Sequence, residues 1–231
     1  MKKAIGIIGG MGPMATCDLM KKIIENTDAA CDQEHIRLYV DSNTNIPDRT
    51  AAILRGGADP RPALTQSAVK LQAMGADLLI MPCNTAHYFV EDMRKAVEIP
   101  VLNMQQETAD ELRRQGITTV AVLATDGTVE SGLYDQALKN VGITPVYPDK
   151  NEQKLVMSVI YDYVKAGKDY RDVDKIHAMV EHLRSQGVQG LVLGCTELPI
   201  AFAPWKAALP TFDPTLILAR TAIRQAGYKV K

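Results

Sequence analysis

Gly75-Ala76-Asp77-Leu78-Leu79-Ile80-Met81-Pro82-Cys83-Asn84-Thr85 and Gly187-Val188-Gln189-Gly190-Leu191-Val192-Leu193-Gly194-Cys195-Thr196-Glu197 follow one plan. In each stretch a glycine is followed eight residues later by a cysteine that closes a short apolar run, and polar side chains come next. The doubling extends outward. Residues 5–12 resemble 120–127, with Gly12 and Gly127 separated by 115 positions, while the cysteines are separated by 112. The pair Ile99-Pro100-Val101-Leu102 and Leu209-Pro210-Thr211-Phe212 places its prolines 110 apart. Three landmarks at nearly one offset describe two copies of one supersecondary plan, with small differences in loop length.

Periodicity supplies the elements. Strands are expected at 4–8, 37–40, 78–81, 101–102, 120–123, 144–146, 191–193 and 211–212. Between them run helical stripes such as Leu64, Ala68 and Leu71 before Cys83, and Val173, Ile176, Val180 and Leu183 before Cys195. Short apolar runs alternating with helices indicate parallel sheets covered on both faces. The expected fold is α/β: two similar three-layer parallel-sheet domains related by pseudo-twofold symmetry, with an active site in the cleft between them. The expected domains are 1–103 joined by a C-terminal helix at 213–231, and 104–212. In such sheets ligands sit beyond the carboxyl ends of the strands, where both cysteines and both turns following 5–8 and 120–123 fall.

Bulk properties narrow the function. The chain has 231 residues, of which 46% are hydrophobic and 23% charged, with a formal net charge of −1. That balance gives no electrostatic basis for nucleic acid or an anionic membrane as partner. No apolar run approaches the ~20 residues of a membrane span, and Met1-Lys2-Lys3-Ala4 leads into a strand pattern instead of a secretory leader, so a cytoplasmic location is expected. Cys17, Cys31, Cys83 and Cys195 form no close-spaced framework and read as free thiols, with Cys17 and Cys31 as packing or surface residues.

Each thiol of the pair is followed by hydrogen-bonding groups: Asn84, Thr85 and His87 in one case, Thr196 and Glu197 in the other. A buried cysteine is ordinarily an inert small hydrophobe. Two of them at matching strand ends suit proton transfer on opposite faces of one carbon. At a strand end entering a helix, backbone amides and the helix dipole are expected to lower the thiol pKa. His87 reads equally as a group that tunes Cys83 and as a solvated or capping residue. Gly9-Gly10-Met11-Gly12-Pro13 lacks the G-x-G-x-x-G spacing of a dinucleotide fingerprint, but its amides can hold a small carboxylate. Thr125, Asp126, Gly127 and Thr128 form its counterpart. No metal site is expected: His177 and His182 are five apart on a helix, and no C-x-x-C occurs. No G-x-S-x-G elbow marks a serine hydrolase.

Taken in order, residues 5–13, Ile46-Pro47-Asp48-Arg49-Thr50, Asp59-Pro60-Arg61-Pro62, Met81-Pro82-Cys83-Asn84-Thr85-Ala86-His87, Val164-Lys165-Ala166-Gly167 and Gly194-Cys195-Thr196-Glu197 resemble the aspartate racemases of the aspartate/glutamate racemase family, which work without pyridoxal phosphate. The resemblance implies an isomerase with no cofactor, usually a homodimer, in which Cys83 and Cys195 act as matched acid and base. By the same analogy Cys83 serves the D-enantiomer and Cys195 the L-enantiomer. Arg49 and Lys165 match positions that bind and polarise a dicarboxylate, favouring an amino diacid. Met11, Asn84, Thr85, Thr125, Gly127, Thr128, Thr196 and Glu197 complete the expected substrate site, and no metal is implied. Glutamate racemases carry an Asp-Ser pair in the first turn and a histidine where Glu197 stands here, so the pattern is of the aspartate type. One branch replaces its first cysteine with threonine, whereas this chain retains Cys83. The remaining alternatives are a glutamate or broad-specificity racemase, a related isomerase or decarboxylase, and a noncatalytic amino-acid-binding regulator.

Overall fold

The computed structural model describes residues 2–202 and 207–231. The chain forms two compact units, Met1–Glu107 with Thr215–Lys231, and Thr108–Pro214.

The first unit holds three hydrogen-bonded parallel strands, β1 (Ile5–Gly9), β2 (Leu38–Ser42) and β3 (Leu78–Ile80), in the order β2-β1-β3. Every residue of β1 is buried, as a strand covered on both faces requires. Residues 101–102, expected as a strand, form only an isolated parallel bridge from Val101 to Leu79. Leu79 donates to the Pro100 carbonyl and accepts from Leu102, so this stretch occupies a strand position without extending into one. Pro100 has no N–H to lengthen the ladder.

Helix α1 (Pro13–Asn26) starts with proline at its first position, where the missing N–H is no loss. It buries Ala15, Thr16, Leu19 and Ile23. Helix α2 (Arg49–Leu54) is capped by the Asp48 carboxylate, which accepts from the Ala51 N–H. Helix α3 (Arg61–Ala73) buries Leu64, Ser67, Ala68 and Leu71. Asp59 accepts from the backbone and guanidinium of Arg61, so the 59–62 stretch serves to start α3. Helix α4 (Val90–Ala96) follows a 3-10 turn at Thr85–Phe89, and α5 (Met104–Arg114) carries the chain from the first unit into the second.

The second unit repeats the plan with one more strand: β4 (Thr119–Leu123), β5 (Thr144–Val146), β6 (Leu191–Leu193) and β7 (Thr211–Phe212), all parallel in the order β5-β4-β6-β7. Its helices are α6 (Asp126–Glu130), α7 (Leu133–Asn140), α8 (Lys150–Ser158), α9 (Val173–Ser185) and α10 (Leu198–Phe202). A π-helical stretch, Val159–Val164, prolongs α8 and ends at Lys165. Helix α11 (Pro214–Gln225) packs Leu218, Ala219, Ala222 and Ile223 with Ile5, Ile7, Leu19 and Ile23 in the first unit.

The shared glycine of the two repeats has a local cause. Gly75 and Gly187 end α3 and α9 with φ of +99° and +82°, a left-handed turn that glycine adopts without penalty. Two residues on, Asp77 accepts from the Ala4 N–H entering β1, and Gln189 accepts from the Thr118 and Thr119 N–H groups entering β4. The doubling therefore extends to the clamps that set strand register. None of the helices among the described residues is long and apolar enough to cross a membrane.

Candidate active site

In both sheets the chain leaves the first strand toward one neighbour and returns on its other side. The gap between β1 and β3, and that between β4 and β6, is thus a topological switch point where ligands bind at the carboxyl edge. The turn after β1 and Cys83 after β3 flank the first gap. The turn after β4 and Cys195 after β6 flank the second.

Around the first gap, Gly10 has φ +91°, and a Cβ there would lie 2.3 Å from the Asn43 backbone. Thr16 holds the turn: its hydroxyl accepts from the Gly10 N–H at 2.9 Å and donates to the Gly12 carbonyl at 3.1 Å. Met11 is buried in the same apolar cluster as Cys83, with Ile46 and Phe89. Cys83, Asn84 and Thr85 are all buried. Arg49 stands at the first position of α2, and its guanidinium donates to the Pro47 carbonyl at 3.0 Å and to that of Ile46 at 3.3 Å. A surface groove of about 380 Å³ elsewhere in this unit is lined by Asp59, Arg61, Tyr88 and Asp92, and by none of the expected site residues.

His87 is not solvated. It is 1% exposed, with Nδ1 2.8 Å from the Cys83 carbonyl oxygen and Nε2 accepting from the Met104 N–H at 3.3 Å. Burial pushes its pKa down from 6.5 to about 4. Between those values the unfolded chain takes up a proton that the folded chain does not. Stability is full above about pH 6.5 and is lost as pH falls toward 4, by about 3 kcal/mol from this group. Denaturant midpoints measured from pH 7 to 4 are expected to fall, and His87→Gln to remove that part of the slope. An unchanged slope in the variant would assign the acid sensitivity elsewhere.

Around the second gap, Gly194 donates to the Leu123 carbonyl at 2.7 Å, and a Cβ on it would lie 3.1 Å from Ala124 and 3.2 Å from the ring of Tyr134. This close approach fixes the strand end that carries Cys195. Thr125 caps α6 by accepting from the Thr128 N–H, and the two threonine hydroxyls are 3.2 Å apart. Gly127 and Thr128 are buried. Gln153 braces the turn from α8, donating to the Ala124 carbonyl and to Asp126.

Cys195 is 7% exposed, and its Sγ lies 2.9 Å from Glu197 Oε2. Thr196 donates to the same oxygen at 3.2 Å, and Lys165 Nζ lies 4.0 Å from Oε1. The Lys165 ammonium also sits 4.8 Å from the centre of the Tyr161 ring. The expected lowering of the thiol pKa is reversed at Cys195. Burial and the Glu197 carboxylate push it up, and Lys165 opposes them only in part. The helix that follows, α10, is a single short turn whose dipole does not overcome a carboxylate at hydrogen-bond distance.

The sequence reading missed Thr16, Gln153 and Gln105, whose amide donates to the Asn84 carbonyl at 3.0 Å. Each is polar on a face that helical periodicity assigns to the interior, which was the available signal. Cys17 and Cys31 are exposed. Asp149, Glu152 and His182 bring three potential metal-binding atoms within 4.8 Å of one another. Those atoms are engaged in the capping box of α8 and in the His182–Glu152 pair.

The sequence pattern of the Asp/Glu/Hydantoin racemase family matches residues 8–222. The structure of Picrophilus torridus aspartate racemase superposes with a TM-score of 0.87 at 34% identity, covering 99% of this chain and 96% of that one. The broad specificity amino-acid racemase RacX of Bacillus subtilis is 26% identical over 228 residues, 95% of this chain and 96% of its own. Glutamate racemase from Francisella tularensis, in complex with D-glutamate, shares the fold alone: its TM-score is 0.68 at 19% identity, covering 97% of this chain and 81% of that one. On its architecture and on the span of that match, this chain belongs to the Asp/Glu/Hydantoin racemase family.

Proposed function

We propose that this racemase interconverts L- and D-aspartate, with Cys83 and Cys195 as the two proton-transfer groups and with no cofactor. The supporting observation is that each thiol is buried at the switch point of its own sheet, at the matching position of two repeats. In this reading the working form is a homodimer. One thiolate removes the α-proton from one face of the substrate. The other thiol delivers its proton to the opposite face, so each thiol ends in the protonation state the other began with. A single base would have to reach both faces of a planar intermediate.

The intermediate carries its charge into the α-carboxylate. Amides of the two turns, with Asn84, Thr85, Thr125, Gly127, Thr128 and Thr196, are the donors that stabilise it, beside Met11 in the first turn. Arg49 and Lys165 hold the side-chain carboxylate; the guanidinium can do so through two parallel hydrogen bonds and the ammonium as a point charge. Glu197 has a distinct part. Its carboxylate, already in contact with the Cys195 sulfur, takes the thiol proton when Cys195 must act as base.

A substrate panel in heavy water tests the proposal. L-Aspartate is expected to yield D-aspartate carrying deuterium at the α-carbon, faster than L-glutamate or neutral amino acids react. A methylene of difference is worth only about 1–3 kcal/mol in such a pocket, so slower turnover of glutamate is compatible. Likeness to RacX favours broad specificity as the second reading, and comparable rates on several neutral amino acids would establish it instead. Aspartate binding without α-proton exchange would mark a noncatalytic binder.

A further inference from the structure

Two buried side chains tie the Cys83 turn to the start of α5, and proton transfer does not require either. His87 contacts the Cys83 carbonyl oxygen through Nδ1 and the Met104 N–H through Nε2. A carbonyl only accepts and an amide N–H only donates, so the ring is the neutral Nδ1–H tautomer, donating to Cys83 and accepting from Met104. Gln105 donates through Nε2 to the carbonyl of Asn84. The carbonyls of two successive residues, one of them the thiol-bearing residue, are held in this way.

The arrangement has a cost that an apolar side chain would avoid. An imidazole and a carboxamide are each buried to 1% exposure, and Gln105 Oε1 is buried without a hydrogen-bond partner among the described residues. Leucine would fill either site with no polar group to desolvate. Both anchors lie in the first turn of α5, the helix in which the chain passes from the first unit to the second.

We infer that His87 and Gln105 are positioning residues that latch the Cys83 turn to this crossing helix and thereby set the aim of the Cys83 thiol. The functional consequence rests on the racemase reading; the latch itself is readable from thiol chemistry alone. Neither residue touches the substrate in this account. Each acts through the backbone of Cys83 and Asn84.

The test uses the full chain with His87→Leu, His87→Asn and Gln105→Met, reading alkylation by iodoacetamide separately at Cys83 and Cys195 together with kcat and KM for aspartate. His87→Leu is expected to change the Cys83 alkylation rate about tenfold, the worth of roughly one buried hydrogen bond, with Cys195 within about twofold. Its kcat is expected to fall by a similar factor with KM nearly unchanged. His87→Asn retains a donor for the Cys83 carbonyl and is expected to return both readings most of the way to wild type, a rescue that mere filling of space would not produce. Wild-type alkylation at Cys83 with wild-type kcat in folded His87→Leu would overturn the latch. Should that variant not fold, Gln105→Met carries the same readings and the same overturning result. Absence of racemisation by the unaltered protein would end the racemase reading while leaving alkylation to decide the latch. Normal racemisation with unaltered Cys83 chemistry in the variants would do the reverse.

Discussion

Cys83→Ala and Cys195→Ala are each expected to lower kcat for racemisation by about a thousandfold or more, while leaving the fold intact. The magnitude follows from removing a general acid or base, which contributes about 10²–10⁴ in rate, from a reaction that needs both in every turnover. Because the two groups act as a unit, the double variant should be scarcely slower than either single one. The fold should survive because each change removes one sulfur from a small buried side chain, and neither thiol is in a disulfide. A sharper consequence concerns the individual faces. With one thiol left, α-proton exchange into heavy water should persist on one enantiomer, without inversion, and the persisting enantiomer should switch between the two variants. Near-normal racemisation by either variant, with Tm unchanged, would eliminate the two-thiol mechanism.

The second large effect concerns Glu197. The carboxylate lies 2.9 Å from the Cys195 sulfur and helps hold the thiol protonated at neutral pH. Glu197→Gln removes the negative charge but preserves length and volume. The Cys195 pKa should therefore fall, and its alkylation at neutral pH should accelerate. If Glu197 is also the acceptor of the thiol proton, racemisation should nevertheless slow by about a hundredfold. A more reactive thiol in a slower enzyme is the distinguishing pair of results. Lys165 acts in the opposite sense, since its ammonium lowers the Cys195 pKa. Lys165→Met should make that thiol still harder to ionise and slow its alkylation. If Glu197→Gln raised both alkylation and kcat, the carboxylate would be a brake on Cys195 and not its partner.

Much of the architecture was legible in the chain because its signals are local. Strand positions followed from short apolar runs, and their parallel pairing from the helices between them. The chief error was the stretch at 101–102, where a strand-like apolar pair makes one bridge to Leu79. Sequence patterning does not reveal how many ladder bonds a short pair will find. The short helix that Arg49 opens was missed for a related reason: the Asp48 cap is a short-range hydrogen bond that starts α2 without a long periodic pattern behind it.

The electrostatics were far less legible. A cysteine followed two residues later by glutamate can point its thiol toward or away from the carboxylate, and only the backbone path after β6 brings them together. His87 shows the same limit. Its distance along the chain from Cys83 suggested a tuning or capping residue, whereas packing buries the ring and gives its two nitrogens opposite hydrogen-bonding roles.

What the sequence by itself determined is the doubled α/β plan, the parallel pairing of its strands and the carriage of one thiol at the end of β3 and one at the end of β6. Those follow from periodicity and from glycines whose backbone conformation is dictated locally. What only the tertiary structure decided is the chemical state of the groups around the thiols: a raised pKa at Cys195, a neutral buried His87, and Gln105 spanning to Asn84. Protonation and tautomer depend on desolvation and on neighbours brought together by folding, at distances of a few ångströms that the order of residues does not encode.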